Sequence, residues 1–196
     1  MKLTNAVLIL MAAAGPGLGE SKQSTIDVYI NSDDASAQLL GSGTVLASDI
    51  FKKIGVPIKW HTGKLEVGRS GFGIRTADHA PETASAGALA ASRLSGGSWV
   101  EITVYRDRLE RFLDDHRSLS GAAAGYVLTH ELAHAMQGVA RHSEAGILKA
   151  QWSTQDYQEM MYHKLAFAPV DVELIHQGLA IRVASGGAAV GSSERR

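Results

Sequence analysis

The segment "YVLTHELAHAMQGVARHSEAGILKAQW", Tyr126 to Trp152, constrains this chain more than any other. It opens inside a run rich in good helix formers, "GAAAGYVLTHELAHAMQ", which predicts a helix from about Ser120 to Met136 or Gln137. His130 and His134 are four residues apart, so on a helix their rings lie on one face, one turn apart. Two imidazoles so placed can reach one tetrahedral ion at about 2.0–2.1 Å each. Glu131 follows the first histidine and points to the side, where a carboxylate can accept a proton from a water that a metal has acidified to a pKa of about 7.

Two histidines do not complete a site, because a catalytic zinc usually has three protein ligands and one open position. His142 is the natural third. Gly138 lies between, and a glycine can take the positive φ that ends a helix and reverses the chain. The chain holds no cysteine, so a metal here must be held by His, Asp or Glu. Three functions stay open. The first is a zinc-dependent hydrolase using His130, His134, His142 and Glu131. The second is a catalytically silent metal-binding protein. The third is a zinc site with an acidic third ligand, for which Glu159 stands 25 residues after His134.

The residues "HELAHAMQGVARHS" followed by "AGILKAQW" resemble the metzincin clan of zinc endopeptidases, and most of all its matrix-metalloproteinase branch. That pattern is His-Glu-x-x-His-x-x-Gly-x-x-His, then a tight turn with a methionine beneath the metal. The spacing here is His-Glu-x-x-His-x-x-x-Gly-x-x-x-His, and Leu148 of Gly146-Ile147-Leu148-Lys149 stands where the methionine would be. Leucine matches methionine in volume, and that methionine packs under the site without ligating, so the exchange is tolerable.

By this resemblance His130, His134 and His142 are zinc ligands and Glu131 is the general base of an endopeptidase. The pocket for the side chain after the scissile bond then lies near Gly138–His142 and Ala150–Trp152. The resemblance also implies a short edge strand, "GALAAS", in which Gly87, Ala88, Leu89 and Ala90 pair with the substrate backbone by strand addition. A strand of small residues packed beneath something bulky is an equal alternative.

Elsewhere the pattern is that of one globular domain. "STIDVYINS", "VPIKWH", "FGIRTA" and "SWVEITVY" read as strands. "SGTVLASDIFKKIG" places Leu46, Ile50 and Ile54 on one helical stripe, stopped by Gly55 and Pro57. Strand, helix, strand predicts a crossover and a parallel pair. "DRLERFLDDH" is a charged helix. Ser153 can cap a short helix over "STQDYQEMMYH", and Pro169 opens a last one. Together with the resemblance, these elements imply the fold class α+β with an α/β-like upper lobe: a zincin- or metzincin-like twisted mixed sheet, a long active-site helix and a small C-terminal lobe.

The first residues, "MKLTNAVLILMAAAGPGLGES", give a positive start, an apolar run over Ala6–Ala14 and small residues at Gly17 and Gly19, which fits an export signal at 1–19. The catalytic domain then covers 20–184 and a flexible tail 185–196. With 45% apolar and 20% charged residues and a formal net charge of -1, the chain has no means to neutralise a run of phosphates. The expected protein is exported and monomeric, acts on peptide or protein substrates, and binds neither nucleic acid nor membrane.

Overall fold

A computed structural model describes residues 25–31, 34–66, 71–95, 99–119 and 121–191. The expected export signal at 1–19 lies outside them. Strand β1 (Ile26–Asn31) leads through helix α1 (Asp34–Lys53) to β2 (Ile58–Thr62), and β1 pairs with β2 in parallel, as the strand–helix–strand pattern requires. Gly55, at φ 77°, releases α1 into β2. Strand β3 (Gly71–Ala77) lies parallel to β1 on its other side, and β5 (Trp99–Tyr105) parallel to β3. Strand β4 (Ala90–Ser95) runs antiparallel to β5 and forms one edge of a sheet ordered β2-β1-β3-β5-β4.

Alternation decides which face of the sheet is covered. Val28, Phe72 and Val100 stand in register across three strands and are buried; so do Ile74 and Ile102 one step on. Onto that face pack α1 and helix α3 (Ala122–Gln137), while helix α5 (Pro169–Gly191) packs on α3. The crossing of α1 with α3 depends on glycine. A Cβ on Gly43 would lie 2.6 Å from backbone atoms of Ala124 and Gly125, closer than real contacts permit. Gly43 thus serves contact inside α1, which begins at Asp34, upstream of the stripe that Leu46, Ile50 and Ile54 mark.

Helix α2 (Arg106–Asp115) follows β5 directly, and helix α4 (Thr154–Met161) follows the loop beyond α3. At the start of α4 the Ser153 hydroxyl accepts the Asp156 N–H and the Asp156 carboxylate accepts the Ser153 N–H, a reciprocal cap. Helix α5 is continuous through Gly191, so residue 185, where a tail was expected to begin, lies inside it. No helix among the described residues is long and apolar enough to cross a membrane.

Candidate metal centre

Helix α3 is apolar nearly all round, as a central helix must be. Of its 16 residues only Glu131 and His134 escape full burial. Both border a cleft of about 980 Å³, lined by α3, by residues 85–93 around the start of β4, and by Lys149–Trp152 and Tyr157. The helix ends at Gly138, which takes the left-handed conformation (φ 69°, ψ 16°) and donates its N–H to the His134 carbonyl at 3.0 Å. The chain turns back there, and exposed His142 rejoins the two helical histidines.

The ring centroids of His134 and His142 are 4.8 Å apart, and those of His130 and His142 5.4 Å. One ligand nitrogen from each of the three histidines lies within 4.8 Å of the others. His130 Nδ1 donates to the Ile147 carbonyl at 2.8 Å, which leaves its Nε2 with a free lone pair. That Nε2 lies 3.0 Å from His134 Nε2. Two donors on a tetrahedral zinc, each at about 2.0–2.1 Å, stand about 3.3 Å apart, so the pair sits near the separation such an ion imposes.

Burial pushes His130 down to about 4 and His134 to about 3, the neighbouring histidines adding to the effect on both. Both imidazoles are thus neutral at ordinary pH, the form in which they ligate. Burial also pushes Glu131 up to about 7. A three-histidine set fits zinc and leaves one tetrahedral position without a protein donor among the described residues. Glu159, the acidic alternative, lies on α4 and is not part of the cluster.

Beneath the histidines runs the turn Gly146–Lys149, closed by a 3.3 Å bond from the Lys149 N–H to the Gly146 carbonyl. Gly146 is at φ 76°, and a Cβ there would meet the Ala166 carbonyl oxygen at 2.4 Å. Ile147 and Leu148 are fully buried. The Ile147 carbonyl also accepts Trp152 Nε1 at 3.1 Å, and the Trp152 ring stands edge-on to His130 at 5.5 Å. One carbonyl thereby orients both the His130 ring and the aromatic wall beside it.

Gly87, Ala88, Leu89 and Ala90 all line the cleft, but only Ala90 lies in β4. Gly87, at φ 83°, belongs to the turn before it. Arg108 Nη1 binds the Ser85 and Ala88 carbonyls at 2.7 and 2.8 Å, and the Leu89 carbonyl accepts the Tyr105 N–H at 2.9 Å. Arg108 thus takes the Ser85 and Ala88 carbonyls, while the Leu89 carbonyl already pairs with the end of β5.

Sequence reasoning also passed over Asp171, which is fully buried in the first turn of α5. Its Oδ1 accepts Arg141 Nη1 at 2.9 Å and Ser143 Oγ at 2.5 Å, the residues either side of His142. In the sequence the available signal was an acid two positions after a helix-opening proline, and it named no partner.

Among solved structures the chain is similar to archaemetzincin from Methanopyrus kandleri. The two share 15% identity with a TM-score of 0.55 over 83% of this chain and 99% of that one. Neither a known protein-family profile nor a curated protein matches the chain. The fold is metzincin-like. This neighbour lends the matrix-metalloproteinase branch no support, in line with the lengthened histidine spacing and with Leu148 in the turn.

Proposed function

We propose that the protein is a zinc-dependent peptidase in which His130, His134 and His142 hold the ion and Glu131 is the general base. One observation carries this reading: three imidazole donors converge at the floor of an open cleft with a carboxylate beside them. A purely structural zinc site has no use for that carboxylate and fills its fourth position with protein. Zinc bound here would acidify a water and polarise a carbonyl.

Glu131 takes the water's proton on a carboxylate oxygen and returns it to the leaving amine nitrogen. In the metal-free protein burial raises this carboxyl towards neutrality, which supports a group that can hold a proton. Among the described residues β4 is an outer strand of the sheet, which supports an extended peptide running antiparallel to it, with alternate side chains turned into the cleft. Trp152 and Tyr157 would wall the pocket beside the scissile bond. The reading includes export of a monomer, on the strength of the signal-like sequence at 1–19.

The test is hydrolysis of a mixed peptide library by purified protein, with and without chelator, beside Glu131→Gln. Turnover that needs the metal and collapses in a zinc-loaded Glu131→Gln variant supports the reading. Equal turnover in the two proteins, or none in the zinc-loaded wild type, overturns it.

A further inference from the structure

The ligand loop poses a geometric problem. Three residues, Val139 to Arg141, separate Gly138 from His142, and His142 is exposed, so packing alone does not hold its ring. Arg141 and Ser143 flank it in the sequence, and both donate to one oxygen of Asp171. That carboxylate is fully buried near the start of α5, and the Asp171 carbonyl accepts Gln137 Nε2 from the end of α3 at 3.3 Å. The Ser143 N–H is bonded to the Leu148 carbonyl at 2.7 Å, which joins the loop to the turn beneath the histidines. A hydrophobic residue in place of Asp171 would fill this space without the cost of burying a carboxylate.

We propose that Asp171 is the positioning residue of the metal centre: by clamping Arg141 and Ser143 it sets His142 against the two helical histidines. The inference rests on the reading of His142 as a ligand. A clamp of this kind acts as an outer-shell contact does, so its loss should lower metal affinity on the order of 10–100-fold.

The experiment measures zinc affinity by competition with a chromophoric chelator, together with the melting temperature of the metal-free protein. The variants are Ser143→Ala, Arg141→Ala and Asp171→Asn, each made in wild type and in His142→Ala. The two loop variants remove one contact each without opening the core, so they report even if Asp171→Asn fails to fold. Expected is a loss of affinity on the order of tenfold or more in at least one loop variant. That loss should vanish in the His142→Ala background, with the metal-free melting temperature little changed.

The same loss in both backgrounds, or unchanged affinity in both loop variants, overturns the clamp and leaves the metal centre standing. Unchanged affinity in His142→Ala alone overturns the ligand reading and the clamp with it.

Discussion

The two halves of the candidate metal centre are built on different principles. His130, Glu131 and His134 sit on a helix buried along most of its surface, where 3.6 residues per turn fixes their relation whatever surrounds them. His142 and the turn Gly146–Lys149 sit on irregular chain, exposed in part and fixed by contacts with residues far along the sequence: Asp171 for the ligand loop and Ala166 for the turn. In the proposed reading the site takes two ligands and its base from local geometry, while the third ligand depends on tertiary structure. The helical half should tolerate no change of its donors, and the loop half should respond in graded steps to changes around it.

The largest expected effect falls on the helical half. Glu131→Gln keeps shape and metal but removes the proton acceptor, and peptide turnover should drop on the order of 10²–10⁴-fold. Measured zinc content should stay at wild-type stoichiometry; a drop in both together would mean that Glu131 acts on the metal.

Under the loop half, Leu148→Ala empties a fully buried position and should cost about 2–5 kcal/mol in urea unfolding, against less than about 1.5 kcal/mol for Leu148→Met. Equal costs would show that the turn's packing floor is not what holds it. At the junction, Gly138→Ala forces a side chain into left-handed backbone and should cost about 1–2 kcal/mol. An unaffected melting temperature there would deny the hinge its role.

The smallest effect is pH dependence in the metal-free protein. His130 and His134 are held neutral, so their contribution to stability is complete above the unfolded value of 6.5 and is lost as pH falls towards about 4 and about 3. Glu131 acts in the opposite sense: its contribution is complete below 4.5 and lost as pH rises to about 7. The two partly cancel in wild type. Glu131→Gln removes the second, so its melting temperature should fall more steeply than that of wild type between pH 6.5 and 4.5. Parallel profiles would contradict the burial of Glu131.

What could be read from the sequence follows the same division. The parallel pairing of β1 with β2, the extent of α3, the reversal at Gly138 and the Ser153 cap all come from periodicity and local hydrogen bonding, and all stand in the structure. The start of α1 was not legible, because Gly41 and Gly43 weaken a helical pattern, and the contact with α3 that requires Gly43 is one only the fold reveals. The beginning of β4 was not legible either: Arg108 ties up the carbonyls of Ser85 and Ala88, 23 and 20 residues before it. Asp171 carries no spacing signal at all, since its partners lie 28 and 30 residues away. The histidine triplet was found because two members share a helix and a glycine lies between them and the third.

X-ray absorption at the zinc edge, on protein loaded with one equivalent, probes the coordination sphere itself. Three imidazole nitrogens at about 2.0–2.1 Å with one oxygen donor is the expected shell, falling to two imidazoles in His142→Ala. Identical spectra from the two proteins, or a shell closed by four protein donors, would contradict it.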